Sequence, residues 1–187
     1  MAPIGGIVKA VLSGDTIVLK STKNPLSEKT VCLAWVSTPF MRRDNEEPFA
    51  FEAREFLRKN LVGKNVLFRS FYQVPNTNKD FGIVTAPDGT EFPQAIVKAG
   101  LAKVRKEDNG RSSDDDITTE KIAELRKLES EARDAKRGQW SGSNGVITVQ
   151  HDLGDPAAFL DTYKGKTLEG TVERVLSGDR LLIRLQL

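Results

Sequence analysis

The carboxylate of Asp15 lies in a Ser13-Gly14-Asp15 turn, from which it could ligate a hard cation such as Ca²⁺. The five residues Val11–Asp15 recur unchanged as Val175–Asp179, so the chain contains this turn twice. An aspartate at a turn also needs no function, because its side chain hydrogen-bonds the local backbone and stabilises the turn. We therefore favour the structural interpretation of Asp15 over that of a residual metal ligand.

Basic residues form the second group that could do chemistry, by contacting phosphate. Lys103 and Arg105 lie two residues apart in a predicted strand, so we expect both side chains on one face of the sheet. Arg42 and Arg43 form another pair, in a charged loop. A solvated charged surface explains Arg42 and Arg43 equally well, whereas the strand alternation slightly favours a phosphate contact for Lys103 and Arg105.

The composition excludes several classes of site. The chain has one histidine, His151, and one cysteine, Cys32, so a zinc centre is not expected. Cys32 has no histidine in its domain to activate it, and we predict a small buried apolar residue. The 28 Lys and Arg residues against 26 Asp and Glu give a net charge of +2, so any nucleic-acid binding must rest on local patches.

The cysteine count and the absence of long apolar segments also bear on the cellular compartment of the protein. A single cysteine cannot form an internal disulfide, and the sequence lacks a basic-then-apolar secretory signal at its start. No apolar run approaches the roughly 20 residues of a membrane span. We therefore expect a protein of a reducing, intracellular compartment with no membrane partner.

Alternating strands and amphipathic helices position these residues. The predicted order is three strands, a helix, two strands, a helix, a strand and a long helix. The expected strands are two in Gly5–Leu19, then Lys29–Val36, Asn65–Phe71, Phe81–Ala86 and Leu101–Arg105. Loops are expected at Met41–Glu47 and Gln73–Asp80. Helices are expected at Pro48–Val62, Phe92–Ala99 and Ile117–Lys136. Short strands with a helix between the third and the fourth predict an α+β, mainly β, five-stranded Greek-key barrel of the OB type.

The repeated hairpin divides the chain. Gly5–Leu19 is followed by enough sequence for a domain, whereas Glu169–Ile183 is followed by four residues. We expect a barrel domain over residues 1–141, a linker with a short helix over residues 142–166, and the first hairpin of a second, truncated repeat over residues 167–187.

Three stretches, in this order, resemble staphylococcal nuclease: Gly14-Asp15-Thr16, Gly100–Val104, and Glu131–Ala135 leading to Trp140-Ser141. The tandem hairpin is similar to family members that carry several nuclease-like repeats followed by a Tudor domain. The Arg42-Arg43 pair and the stretch Glu47–Lys59 resemble the first repeat of such proteins. The resemblance implies the nuclease fold with three helices.

The resemblance also identifies the positions at which active relatives carry out Ca²⁺-dependent phosphodiester hydrolysis. Asp15 matches the first metal carboxylate. Cys32 and Ile83 stand where arginines are expected, and Ser37 and Phe40 stand where the second carboxylate and a water-orienting glutamate are expected. We therefore predict no catalytic residues, no metal and no cofactor in this module.

The function that the resemblance implies is that of a non-catalytic module in an RNA-regulatory scaffold, cytoplasmic and also nuclear, linked to RNA silencing and transcriptional coactivation. Its expected partners are RNA, proteins of RNA-regulatory complexes and neighbouring repeats. We predict weak, sequence-independent RNA binding through Lys103 and Arg105, helped by Arg42 and Arg43. The alternatives are a ribonuclease that acts through other repeats or a composite site, and a protein-interaction platform without RNA binding.

Overall fold

The computed structural model describes residues 2–23, 27–42, 45–74, 79–106, 116–142, 150 and 152–186, with the backbone alone at residues 42 and 45. In this part of the chain the first unit contains β1 Ile4–Val11, β2 Thr16–Ser21, β3 Glu28–Leu33, β4 Val36–Ser37, β5 Met41–Arg42, β6 Asn45–Glu46, α1 Ala50–Leu61, β7 Asn65–Val74, β8 Lys79–Thr85, α2 Phe92–Lys98, β9 Lys103–Val104, α3 Asp116–Asp134 and a 3₁₀ turn Gly138–Trp140. The second unit contains α4 Pro156–Tyr163, β10 Glu169–Ser177 and β11 Arg180–Gln186. The two units comprise residues 1–148 and 149–187.

Five strands close into a barrel in the order β1-β2-β3-β8-β7. All neighbours are antiparallel except β3 and β8, which pair in parallel with Val31 opposite Asp80. The predicted five-stranded barrel is confirmed. Its interior is filled by alternate strand residues such as Val8 and Phe68, and it is closed by Leu57 of α1, Ile96 of α2 and Leu125 of α3.

The prediction that Leu101–Arg105 forms a strand of the barrel is wrong. Only Lys103 and Val104 are extended, and they pair with Ser37 and Val36 of β4, outside the barrel. The cause is a turn at Trp35, whose φ of 59° lies in the left-handed region and divides the predicted strand Lys29–Val36 into β3 and β4. A bulky residue with this φ is uncommon, so the sequence pattern gave no sign of the break.

Other boundaries also differ. Phe49 has a φ of 68° and delays the start of α1 to Ala50, two residues after the predicted start at Pro48. The predicted loop at Met41–Glu47 holds the short pair β5 and β6, and β7 and β8 extend into the predicted loop at Gln73–Asp80.

The second unit repeats the hairpin of the first in detail. Val172 faces Ile183 in β10–β11 as Val8 faces Leu19 in β1–β2, and both ladders shift register just after that valine. Burial is what differs. Val8, Ile17 and Leu19 are at most 4% exposed, whereas their equivalents Val172, Leu181 and Ile183 are 41%, 52% and 44% exposed. The second hairpin therefore has the sequence of a barrel wall with its apolar side chains largely exposed.

Candidate nucleic-acid interface

Both carboxylate oxygens of Asp15 are engaged by groups of the chain itself. Asp15 lies in the turn between β1 and β2, where Oδ1 accepts hydrogen bonds from Ser13 Oγ at 2.8 Å and Thr16 Oγ1 at 2.9 Å. Oδ2 is 3.6 Å from Nη2 of Arg105. The corresponding turn of the second hairpin repeats the local contact, since Ser177 Oγ donates to Asp179 Oδ1 at 2.5 Å.

Arg105 is fixed beside Asp15 by two further contacts. Its Nε donates to the carbonyl oxygen of Val36 at 2.6 Å, and its guanidinium carbon lies 5.4 Å from the centroid of the Phe81 ring. A guanidinium thus supplies the positive charge beside Asp15. Arg105 remains partly exposed, with 44% of its side chain accessible to solvent, so its predicted contact with RNA stays a prediction.

The other positions identified from the resemblance hold a thiol, an aliphatic side chain, a hydroxyl group and an aromatic ring. Cys32 is buried in β3 beside Thr16; burial raises the pKa of its thiol, and the charge of Asp15 acts in the same direction. Ile83 belongs to the barrel core, Ser37 is exposed in β4, and Phe40 is half exposed. Within the described residues there is no group of three His, Cys, Asp or Glu side chains that could hold a metal ion.

A cleft of about 350 Å³ lies between β9 and α3, and we call it the basic cleft. It carries five cationic side chains and one carboxylate. Its lining consists of Lys103, Val104, Arg105, Lys106, Arg126, Glu129, Arg133 and Trp140. Lys103 and Arg105, which the sequence placed on one sheet face, both contribute to it.

The indole ring of Trp140 forms cation–π contacts with two of these cations. The ring centroid is 5.2 Å from Lys103 Nζ and 4.5 Å from the guanidinium carbon of Arg133. Both carboxylate oxygens of Glu129 contact other residues of the cleft lining. Oε1 accepts a hydrogen bond from the Val104 amide at 2.9 Å, and Oε2 lies 3.9 Å from Arg133 Nη2.

Sequence reasoning missed the helical wall and the tryptophan. Arg126, Glu129 and Arg133 have the three- and four-residue spacing of one helix face, which the sequence could have revealed. The predicted RNA contacts all stay predictions; of the other two residues, Arg43 lies outside the described residues and only the backbone of Arg42 is described.

The chain is similar to known proteins over most of its length. The family described as "Staphylococcal nuclease homologue" matches residues 30–142. "Staphylococcal nuclease domain-containing protein 1" of Schizosaccharomyces pombe is 32% identical over 97% of this chain and 21% of its own length. The protein of that name in Drosophila melanogaster is 35% identical over 94% and 20%. "Ribonuclease TUDOR 2" of Arabidopsis thaliana is 37% identical over 96% and 20%.

The chain therefore spans about a fifth of the length of these curated relatives. In the described ranges, no helix combines the length and apolar character that crossing a bilayer requires.

Proposed function

Because the chain belongs to the staphylococcal nuclease homologue family, we propose that it is a non-catalytic module that keeps the nuclease fold and binds RNA. The observation that carries this proposal is the Asp15–Arg105 pair, in which a cation of the chain faces the one carboxylate that matches the metal site of active relatives. We further propose that the longer protein is a cytoplasmic and nuclear RNA-regulatory scaffold, linked to RNA silencing and transcriptional coactivation.

The magnitudes support the non-catalytic assignment. Ca²⁺ takes roughly 6–8 oxygen ligands, and Asp15 supplies at most two, both already in contact with other groups. Loss of one transition-state donor typically lowers the rate by about 10²–10³. Cys32 and Ile83 replace both expected arginines, so the combined loss exceeds what residual binding can offset.

RNA titration combined with a cleavage assay tests the proposal. We expect labelled single-stranded RNA to bind with an affinity that falls as salt rises, because phosphate contacts release counterions. We expect no cleavage of RNA or DNA above background, with or without Ca²⁺. Cleavage by the unmodified chain that Asp15→Ala abolishes would contradict the non-catalytic assignment.

A ribonuclease function is the second candidate. It is favoured by the name of the plant relative, "Ribonuclease TUDOR 2". In that case other repeats of the longer protein, or a composite site between repeats, would supply the missing acids and arginines. Cleavage by the longer protein but not by this chain would support this candidate.

A protein-interaction platform without RNA binding is the third candidate. The low net charge of +2 favours it, since the chain exerts little long-range attraction on RNA. Neither binding nor cleavage of RNA in the same titration would support it.

A further inference from the structure

We propose that the basic cleft binds the phosphodiester backbone of single-stranded RNA, and that Trp140 positions the cations that contact it. This inference deepens the RNA binding proposed above and rests on it. The site lies between β9 and α3 and is centred on Trp140 instead of Asp15.

Positive charge is more concentrated in the basic cleft than in the chain as a whole. The five cations of the lining face one carboxylate, although the chain as a whole carries only +2. Glu129 is held by the Val104 amide, and Arg105 is paired with Asp15. Arg133 also lies 3.9 Å from Glu129, but the lining as a whole still carries five cations against one carboxylate, so the cleft has a positive potential that low-dielectric walls focus on an entering anion.

The cations lie on two facing walls, which suits a chain of anions better than a single one. Lys103 and Lys106 belong to the strand wall, whereas Arg126 and Arg133 belong to the helix. Seven residues correspond to about 10.5 Å along a helix axis, so the two arginines are spread along the cleft. Consecutive phosphates of one strand can pair with such a series, and guanidinium groups bind phosphate bidentately.

Trp140 orders the side chains that make these contacts. Lys and Arg lose considerable rotamer freedom when they bind, and a side chain held in place beforehand loses less. Cation–π contacts at 5.2 Å and 4.5 Å hold Lys103 and Arg133 over the indole ring before any ligand arrives. Because the ring already holds cations, it serves to position them and not to stack on a base. The cleft therefore recognises the backbone without regard to sequence.

Anisotropy measurements with the full 187-residue chain test the assignment. The probe is a fluorescein-labelled oligouridine of about 12 nucleotides, within the site sizes of OB folds. The cleft variant is Lys103→Gln with Arg133→Gln. The matched control is Lys127→Gln with Arg69→Gln, which removes the same charge and also one cation–π contact, that of Arg69 with Phe71 at 5.3 Å.

We expect the cleft variant to bind about tenfold more weakly at low salt, and its slope of log affinity against log salt to be shallower by about 1.4, since each contact on a single strand contributes about 0.7. The control should match the unmodified chain in both quantities. Absence of binding by the unmodified chain overturns the RNA-binding function itself. Two results would overturn the cleft assignment but leave the RNA-binding function intact. One is an equal loss of affinity in the control and cleft variants, and the other is an unchanged affinity of the cleft variant.

Trp140 variants separate positioning from contact. Trp140→Leu should weaken binding several-fold with an unchanged salt slope, because the same cations still reach phosphate but are less ordered. Trp140→Phe, which retains an aromatic face, should recover part of the affinity. An unchanged affinity for Trp140→Leu, in a variant whose melting temperature shows it folded, overturns the positioning role.

Acidic proteins are the competing partner, since carboxylates also pair with guanidinium groups. Polyglutamate of similar length is titrated against the same probe. We expect it to compete more weakly than unlabelled oligouridine. Equal or stronger competition, lost in the cleft variant, would identify an acidic protein as the partner and overturn the RNA assignment.

Discussion

The contacts of Asp15 are those of a residue that stabilises a turn. Its two hydrogen bonds from Ser13 and Thr16 stabilise the hairpin turn, and Asp179 repeats the first of them in the second hairpin. Arg105 adds the charge partner. Turn stabilisation alone is a sufficient reason for an aspartate at this position.

A second aspartate, Asp80, is buried in the barrel wall between Lys29 and Gln73. Its side chain is 3% exposed, forms an ion pair with Lys29 and accepts a hydrogen bond from Gln73. Burial opposes its ionisation, but the hydrogen bonds from Lys29 and Gln73 and the charge of Lys29 outweigh this effect, so the pKa of Asp80 lies below its usual value. The ionised form thus stabilises the folded chain.

We predict that Asp80→Asn lowers the free energy of unfolding by about 1–3 kcal/mol at neutral pH, because it removes the charged acceptor of a largely buried pair. A carboxyl whose folded pKa is depressed stabilises the fold above its unfolded pKa of about 3.9 and loses that contribution as the pH falls through the folded pKa. The difference between variant and wild type in urea denaturation should therefore shrink below about pH 4.

Glu28→Gln is the control for this prediction. It removes the ion pair between Glu28 and Lys9, whose side chains are 40% and 54% exposed, and exposed pairs contribute about 0–1 kcal/mol. Equal losses in the two variants would mean that burial of Asp80 has no energetic consequence.

At the scale of elements, two glycines join the end of α3 to the end of α2. Gly100 has a φ of 74°, and a Cβ there would lie 2.3 Å from the carbonyl oxygen of Arg137. Gly138 has a φ of 51°, and a Cβ there would lie 2.4 Å from the carbonyl oxygen of Gly100. The Gln139 amide donates to that same oxygen at 2.9 Å. This backbone contact brings the turn that carries Trp140 beside β9 and its Lys103.

Gly100→Ala should reduce stability by about 2–4 kcal/mol in urea denaturation, since it adds a backbone clash to the strain of a positive φ. The comparison is Gly89→Ala, at a φ of 86° with no atom within 4 Å of the added Cβ. That variant should lose only about 1–2 kcal/mol, the strain of the left-handed conformation. If both variants lose the same amount, the close approach of the two segments contributes nothing to stability.

The whole molecule consists of two units that differ in the structures that stabilise them. Residues 1–148 contain a closed barrel with a buried core, and β10 and β11 of residues 149–187 form a two-stranded sheet. An isolated two-stranded hairpin is marginal in water. We propose, as the repeated sequence indicates, that the second unit is the opening of a further nuclease-like repeat.

Removal of residues 149–187 should leave the melting temperature of the barrel unchanged to within about 2 °C, because every ladder of the barrel lies within the first unit. Amide exchange should be faster in β10–β11 than in β1–β2 of the full chain, since the equivalent apolar residues are exposed. A fall of more than about 4 °C on truncation would show that the second unit stabilises the first.

Features that depend on neighbouring residues could be predicted from the amino-acid sequence. Alternating apolar residues around Asp15 produced the first hairpin, and Gly63 and Gly100 marked helix ends at or close to those observed. The exact repetition of Val11–Asp15 located the second hairpin. Turn chemistry and periodicity act over a few residues, so one sequence suffices to detect them.

Contacts between distant parts of the chain could not be predicted from the sequence and are seen in the folded structure. The left-handed Trp35 divides an otherwise regular strand and moves Lys103 and Val104 out of the barrel. That displacement directs Arg105 to Asp15 and Lys103 to Trp140. Such pairings are set by strand order and by how helices dock on the barrel, and these depend on packing of the whole core, which no local pattern records.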